Sequence, residues 1–207
     1  GGTGLYIRAL LGGLFECPEA SQVLRSRLGR EWEEEGGGVL HERLRSLDPA
    51  AAGRIHPNDR VRVLRALEVI ELTGRPFSFL TGVHRFQEGP FRSFKVCLYT
   101  HRQRLYDRIN GRSRAMMEGG LPEETQSLLD RGYAPDLKPM RAIGYRHAVA
   151  LLEGVWGREE AVERLQADTR RYAKRQMTWF RKEPDINWYR PEDRDLVFRE
   201  AADFLHR

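Results

Sequence analysis

Apolar residues recur every three to four positions in many segments of the chain, which is the spacing of amphipathic helices. The clearest such segment is 158–182, which ends where Glu183-Pro184 prevents the helix from continuing. Its apolar stripe consists of Val162, Leu165, Tyr172, Met177 and Phe180. Apolar spacing, together with helix start and stop signals such as Asp48-Pro49 before residue 50, predicts further helices over residues 5–14, 19–34, 39–47, 50–55, 60–72, 101–119, 122–132, 147–153 and 191–205.

Two short segments contain β-prone residues and predict strands over residues 93–99 and 186–189. Residues 77–92 have no clear period and are predicted to form a loop, and the triplet Gly36-Gly37-Gly38 predicts a flexible joint. Helices dominate up to residue 76, whereas strands and helices alternate from residue 93 onward. This order predicts an α/β fold that carries a helical insertion.

Composition narrows the class of protein. The 207 residues are 40% hydrophobic, which argues against a disordered chain, and they contain no apolar run long enough to predict a membrane-spanning helix. Two isolated cysteines and the lack of a secretory leader predict a cytoplasmic protein. The six histidines are scattered without an HExxH motif, so no metal site is predicted. The net charge is +5, with 31 arginines and only 4 lysines, an excess that codon bias explains as well as an anionic partner does.

Basic residues are most concentrated in segment 169–182, which contains six of them and no acidic residue. On a helix they form two neighbouring ridges: Arg170, Lys174 and Arg181 on one, and Arg171, Arg175 and Lys182 on the other. Two such ridges repel each other unless they face an anion, so the segment predicts nucleic-acid binding, with Gln176 and Thr178 as hydrogen-bonding groups and Trp179 as a stacking face. The alternative is a basic surface helix with Trp179 in the core.

Two smaller clusters each allow two interpretations. Arg62 and Arg65 share a helix face and could bind phosphate, but the spacing favours a simple ion pair between Arg65 and Glu68. In segment 141–147, two arginines flank a glycine, and Tyr145 could stack on a base or hydrogen-bond to it. A helix-entry turn with a core tyrosine explains the second cluster equally well.

Two further features are weaker signs of an anion site. Arg104 and Arg108 directly follow a predicted strand, where ligands of α/β sheets bind, although a solvent-facing helix fits them equally well. The backbone N–H groups of segment 1–4 could contact a phosphate. No GxxxxGK[ST] motif occurs in the 207 residues, so the usual phosphate-binding loop is absent from this sequence.

Five stretches follow one another in the order expected for a single family. They are GGTGLYIRALLGGL at 1–14, DPAAAGRIHPNDRVRVLRALEVIELTGRP at 48–76, RQRLYDRIN at 102–110, RAIGYRHA at 141–148 and TRRYAKRQMTWFRK at 169–182. Together they resemble the tRNA dimethylallyltransferases, also called tRNA isopentenyltransferases.

The resemblance implies a P-loop NTPase-like α/β core, incomplete in this chain, formed by residues 1–16 and 93–207. It implies that residues 17–92 form a mainly helical insertion domain that binds the anticodon stem-loop of tRNA. Members move the dimethylallyl group of dimethylallyl diphosphate to N6 of adenine-37, the base 3′ of the anticodon, in tRNAs that read codons beginning with U. Mg²⁺ assists the diphosphate, and we expect it to be held mainly by that substrate and by residues outside this chain. A monomer without a membrane partner is expected.

The resemblance also implies roles for individual residues. Thr3 lies at the mouth of the reaction channel and is expected to be catalytic and to contact the substrate nucleotide, and Arg108 is the candidate for binding the diphosphate. The residues expected to contact tRNA besides Thr3 are Arg25, Val61, Arg62, Val63, Leu64, Arg65, Arg141, Ala142, Ile143, Gly144, Tyr145, Arg146, Lys174, Arg175, Gln176, Met177, Thr178, Trp179, Phe180 and Arg181.

The sequence departs from the family in one respect. The P-loop and the general-base aspartate of the family lie upstream of the GGTGLY motif, and neither is found in these 207 residues. We therefore expect this chain to lack transferase activity by itself while keeping some affinity for tRNA. Two alternatives remain open: a non-catalytic RNA-binding module, and an enzyme that prenylates adenine nucleotides. The helical insertion and the basic helix argue against the second alternative, because a mononucleotide needs neither.

Overall fold

The computed structural model describes residues 2–13, 18–84 and 91–206, and the chain divides into two compact units. The helical unit comprises Leu5–Arg92, and the strand-bearing unit comprises Gly1–Gly4 together with Ser93–Arg207. The units therefore change at residues 4/5 and 92/93, whereas the family resemblance implied changes at 16/17 and 92/93. Among the described residues, no helix is both long and apolar enough to cross a membrane.

Side-chain caps mark where three helices of the helical unit begin. The helices are α1 (Gly4–Gly12), α2 (Gln22–Glu35), α3 (Gly37–Leu47), α4 (Pro49–Ala52), α5 (Arg60–Thr73) and α6 (Phe77–His84). Ser21, Asp48 and Asp59 accept backbone N–H groups in the first turns of α2, α4 and α5, which satisfies donors that have no partner within a helix. Gly74, with a φ of 65°, ends α5 in the left-handed conformation that glycine adopts without strain.

The core of the helical unit lies between α2, α3 and α5. Its fully buried side chains include Leu28, Leu40, Leu44, Val63 and Leu67. The flexible joint predicted at residues 36–38 is wrong, because Gly36 alone links the two helices and Gly37 and Gly38 belong to α3. A Cβ at Gly37 would overlap the ring of Trp32, so this glycine allows two consecutive helices to pack closely.

Residues 77–84 form α6, so the loop predicted for residues 77–92 is wrong over that part; residues 85–90 lie outside the described residues. Phe77 packs against the core of the helical unit. Asp48, which is buried, accepts hydrogen bonds from the backbone N–H and the hydroxyl of Ser78, both 2.6 Å long. Burial alone would raise the pKa of Asp48, but the hydrogen bonds from Ser78 and Ala51 outweigh it and lower that pKa. A tertiary contact 30 residues away in sequence thus helps to hold a helix that is too short for periodicity to reveal.

The strand-bearing unit confirms the predicted α/β class: it is rich in helix around a small parallel sheet. Its elements are β1 (Lys95–Leu98), α7 (Arg102–Glu118), α8 (Leu121–Asp130), α9 (Tyr145–Leu152), α10 (Arg158–Phe180), β2 (Ile186–Tyr189) and α11 (Arg194–Leu205). The two strands pair in parallel, with Lys95 opposite Ile186 and Leu98 opposite Tyr189. A core of buried residues that includes Met117, Ala148 and Leu165 connects the helices.

Helices α7 and α10 lie side by side and run in opposite directions. Arg114 pairs with Glu159 near the start of α10, whereas Asn110, one turn earlier on α7, accepts from Arg170 at 2.5 Å. The start of α7 therefore lies beside the last turns of α10. This places the residues that follow β1 next to the most basic part of the chain.

Candidate nucleic-acid interface

The basic ridge of α10 consists of Lys174, Thr178 and Arg181, which follow one another along one side of its last turns. Neither these two cations nor the neighbouring Arg175 has a carboxylate at ion-pair distance within the described residues. The predicted line through Arg170 is corrected, because the Arg170 guanidinium donates to Asn110 and ties α10 to α7. Unpaired cations on one helix face create a positive potential, which favours an anionic partner.

The glycine-rich segment, residues 2–4, is docked on this same helix. The Gln176 side-chain amide donates to the Gly2 carbonyl oxygen at 2.6 Å. Gly4 is buried, and a Cβ at this position would overlap the indole of Trp179. Thr3 lies between these two docked glycines, so it is held beside α10, and its side chain is exposed.

This docking changes the roles predicted for two α10 residues. The Gln176 amide donates one N–H to Gly2, so this side chain positions the glycine-rich segment and keeps its second N–H and its carbonyl oxygen for the predicted hydrogen bonding. Trp179 is half-buried: part of its indole packs on Gly4, and part lines a groove beside the basic ridge. The side chain of Phe180 is buried, so the prediction that it contacts tRNA does not hold for that side chain.

Two grooves flank the basic ridge. The first groove, about 290 Å³, is lined by Lys174, Arg175, Thr178, Trp179 and Lys182. The second groove, about 300 Å³, is lined by Thr100, Arg102, Leu105, Tyr106, Ala173, Lys174, Met177, Thr178 and Arg181. Both have cations on their walls and apolar or aromatic groups beside them. This combination suits a phosphate attached to an apolar or planar group.

The second groove lies at the N-terminus of α7, directly after β1, where backbone N–H groups favour anions. Arg108, the residue predicted to bind the diphosphate, is exposed but lines neither groove. Arg104 is also outside them and lies 3.7 Å from Glu192. Arg102 lines the groove instead, and sequence reasoning missed it because spacing after a strand does not select one arginine among three.

Segment 141–146 precedes and begins α9. Gly144 is buried with a φ of 107°, a conformation that favours glycine, and Arg141 and Ala142 are exposed. Tyr145 packs partly against the core, and its hydroxyl donates to Glu124, which raises the pKa of Tyr145. Ile143 packs against the same core. The interpretation as a helix-entry turn with a packed tyrosine therefore fits this segment better than the stacking interpretation does.

Asp168 on α10 binds three groups at once. Its carboxylate accepts from Arg146, from Arg171 at 2.9 Å, and from Nε2 of His147 at 3.1 Å. His147 is fully buried, and its Nδ1 accepts the Gly144 N–H at 3.4 Å, so the hydrogen-bond network assigns the ring proton to Nε2. Burial lowers the pKa of His147, which keeps the ring neutral. Burial alone would raise the pKa of Asp168, but hydrogen bonds from Arg171, Arg146 and His147 outweigh it and lower that pKa.

In the helical unit, Glu68 has an equivalent role. Its side chain is only 1% exposed, and it accepts from Arg25 at 2.9 Å, Arg65 at 2.5 Å and the Ser21 N–H at 3.0 Å. Arg65 also donates to the Pro18 carbonyl oxygen. The ion pair between Arg65 and Glu68 that the spacing favoured is confirmed.

The neighbouring residues on α5 differ strongly in exposure. Arg62 is 70% exposed beside Asp59, and Val61 is 78% exposed, so both side chains are accessible to a ligand. Val63 is 0% exposed and Leu64 packs against the core. The predicted contact of the whole stretch 61–65 with tRNA is therefore corrected at Val63, whose side chain belongs to the core.

The described residues contain no group of three or more His, Cys, Asp or Glu side chains arranged to hold a metal ion. No cluster of these side chains is therefore assigned to Mg²⁺, which the resemblance implies is held mainly by the diphosphate and by residues outside this chain.

Comparison with known proteins gives consistent similarities. A profile of the IPP transferase family matches residues 1–183. The chain is 53% identical over 188 residues to the tRNA dimethylallyltransferase of Desulfosudis oleivorans, covering 91% of this chain and 60% of that relative. It is 50% identical over 206 residues to the tRNA dimethylallyltransferase of Geobacter sulfurreducens, covering 99% and 66% of the two chains.

Solved structures show the same likeness. The full-length tRNA isopentenylpyrophosphate transferase of Bacillus halodurans matches with a TM-score of 0.62 and 35% identity, over 99% of this chain and 65% of that one. A eukaryotic dimethylallyltransferase acting on tRNA matches with a TM-score of 0.77 at 24% identity, which shows the fold alone. The chain spans 60% and 66% of the length of the two curated relatives. The chain belongs to the IPP transferase family.

Proposed function

We propose that this chain is the tRNA-binding part of a tRNA dimethylallyltransferase, an enzyme that moves a dimethylallyl group from dimethylallyl diphosphate to N6 of adenine-37 in tRNAs reading codons that begin with U. The observation that carries the proposal is the basic ridge of α10, whose cations are unpaired within the described residues and beside which the Gly2–Gly4 segment is docked. We further propose that the strand-bearing unit belongs to a P-loop-like core and that the helical unit is an insertion domain for the anticodon stem-loop.

The reaction requires three things of a protein. In the transfer, N6 of adenine forms a bond to C1 of the dimethylallyl group, the bond from C1 to the diphosphate oxygen breaks, and N6 loses a proton to a base. The adenine must first leave its stack to reach the site. The diphosphate must then be neutralised, and the base must lie near N6.

In this proposal the residues of the chain bind and orient the RNA. Lys174 and Arg181 contact phosphates, and the exposed Thr3 hydroxyl, held beside α10, contacts the target nucleotide. The sequence contains neither a GxxxxGK[ST] loop nor the family's D-S-x-Q-x-Y motif, so the proton acceptor and the phosphate loop come from outside these 207 residues. Mg²⁺ bound to the diphosphate would supply charge neutralisation, and no step is assigned to a metal held by this chain.

A salt titration of RNA binding tests the proposal. The chain is titrated with a fluorescent anticodon stem-loop at several salt concentrations. Contacts to four or more phosphates predict a log–log slope of about −3 or steeper, since each contact contributes roughly −0.7 to −0.9. A slope near −1, or displacement of the RNA by adenosine monophosphate at comparable concentration, would refute tRNA binding by several phosphates and favour the mononucleotide alternative.

A transfer assay tests the second half of the proposal. The chain is incubated with tRNA, dimethylallyl diphosphate and Mg²⁺, and we expect no transfer of the dimethylallyl group. Turnover at the rate of a complete relative would contradict the assignment of the base and the phosphate loop to residues outside this chain.

A further inference from the structure

One acidic side chain lies among the cations of α10, where it should weaken RNA binding. Asp168 precedes the basic ridge on the same helix, and its carboxylate is still 22% exposed. A carboxylate near an RNA phosphate repels it. Asp168 nevertheless binds the guanidinium groups of two arginines, Arg146 on α9 and Arg171 on α10. Asp168 therefore opposes RNA binding by its charge while it holds two arginines that could bind RNA.

We propose that Asp168 is a positioning residue for RNA: it fixes Arg146 and Arg171 so that their remaining N–H groups address the same stretch of phosphate backbone. The proposal rests on the proposed tRNA-binding function. A guanidinium has five N–H donors, so one that gives some of them to a carboxylate keeps others for a phosphate. A guanidinium that is already held in place has less side-chain conformational entropy to lose on binding, so the free-energy cost of binding RNA is smaller.

Through its contact with the buried His147, the Asp168 carboxylate also holds the backbone turn before Arg146. His147 Nε2 donates to Asp168, and His147 Nδ1 accepts the N–H of Gly144. Gly144 is the turn residue from which α9 begins, and Arg146 follows it by two residues. Asp168 therefore contacts the Arg146 side chain directly and the turn that carries Arg146 through His147. The Asp168 carboxylate thus orients both the guanidinium of Arg146 and the backbone that carries it.

Replacing Asp168 by Asn separates positioning from charge, because the two effects have opposite signs. The change removes one negative charge next to the RNA while keeping the size of the side chain. If Asp168 only contributes charge, D168N binds RNA more tightly, since the net positive charge of the surface rises. If Asp168 positions the arginines, D168N binds more weakly, because the Asn side chain presents an N–H group where the carboxylate accepted.

The experiment measures the Kd of the chain for an anticodon stem-loop over a range of salt concentrations. We expect D168N to weaken binding about five- to ten-fold and to flatten the salt slope by about one phosphate contact. D168E, which keeps the acceptor, restores part of the affinity. The control is Glu163→Gln, which neutralises an exposed carboxylate on the same helix that has no ion pair within the described residues; it leaves binding unchanged or slightly tighter.

A second variant keeps the test independent of folding. Arg146→Lys retains the charge of an exposed side chain but lacks the fork, and positioning predicts a loss of affinity of similar size to that of D168N. Equal or tighter RNA binding by folded D168N, or unchanged binding by R146K if D168N does not fold, overturns the inference. Failure of the unmodified chain to bind the stem-loop would instead overturn the proposed function.

Discussion

Replacing Gly4 by Ala should detach the glycine-rich segment from α10. The added Cβ would overlap the Trp179 indole, a flat and half-buried ring that cannot move aside as the end of a flexible side chain can. Forcing both groups to stay would cost about 1–3 kcal/mol of overpacking. Releasing residues 2–4 costs chiefly the hydrogen bond from Gln176 to Gly2, about 0.5–1.5 kcal/mol. Because the range for release lies lower than the range for overpacking, we expect residues 2–4 to be released and the change to stay local to this segment and α10.

A matched control is Gly111→Ala. Gly111 is an interior residue of α7, and a Cβ there would meet no atom within 4 Å. This change should stabilise the strand-bearing unit by about 0.5–1 kcal/mol, because alanine loses less backbone freedom in a helix. The two glycines thus predict opposite outcomes from the same chemical change.

The assay is the indole N–H region of a proton–nitrogen NMR spectrum, in which the four tryptophans give four signals. G4A should shift one signal, that of Trp179, and weaken binding of the stem-loop because Thr3 is no longer held beside the basic ridge. G111A should leave the Trp179 signal and the RNA affinity unchanged and raise the melting temperature by roughly 1–4 °C. A G4A spectrum with all four signals in place, together with unchanged RNA affinity, would refute the docking.

Further predictions concern the ridge and the buried carboxylates. Lys174→Ala and Arg181→Ala should each weaken stem-loop binding about three- to ten-fold and reduce the magnitude of the salt slope by about one. The control is Arg131→Ala, because Arg131 follows α8 and lines neither groove. This change should leave the affinity within about two-fold in the same titration. Glu68→Gln should destabilise the helical unit by about 1–3 kcal/mol in urea unfolding, because the amide cannot accept from two arginines and the Ser21 N–H at once. Asp48→Ala should cost a similar amount, about 1–3 kcal/mol in the same experiment, through loss of the α4 cap and both Ser78 hydrogen bonds. The native pKa values of Glu68 and Asp48 lie below their ordinary values of 4.5 and 3.8. The stabilisation that these carboxylates provide is therefore present above the ordinary values and is lost as the pH falls through the native pKa values. E68Q should reduce the fall in melting temperature at acid pH, and an unchanged fall would contradict this role of Glu68.

Local sequence signals predicted most of the elements because their causes are local. Periodicity and Pro184 defined the long helix, and its end lies within two residues of the prediction. The pair Asp48-Pro49 predicted the start of α4, since an acceptor at the cap and a proline in the first turn act within a few residues. Helix α6 was not predicted, because its eight residues are too few to show a helical period. The group that accepts a backbone N–H at its start is Asp48, 30 residues away in sequence.

The site was predicted less completely because its contacts are long-range. Gln176 and Gly2 are 174 residues apart in sequence, and no spacing rule links them. The groove beside α7 is formed by residues after β1 and by the last turns of α10, so Arg102 could not be chosen over Arg104 or Arg108 from the sequence. Charge counting located the basic segment 169–182, but it could not show which of its cations are already paired with a carboxylate.

In the proposed RNA binding, whether an arginine is already paired with a carboxylate determines what it contributes to affinity. Arg25 and Arg65 are held by Glu68, and their partners are 43 and 3 residues away; Arg146 is held by Asp168, 22 residues away. A count of exposed basic residues treats these arginines as equal to Lys174 and Arg181, which have no carboxylate partner within the described residues. The arginines that are paired with a carboxylate bring less net charge but a guanidinium held in one orientation, whereas Lys174 and Arg181 bring their full charge. We therefore expect loss of an unpaired cation to flatten the salt slope of RNA binding, and loss of a carboxylate that holds paired arginines to reduce affinity although the net positive charge rises.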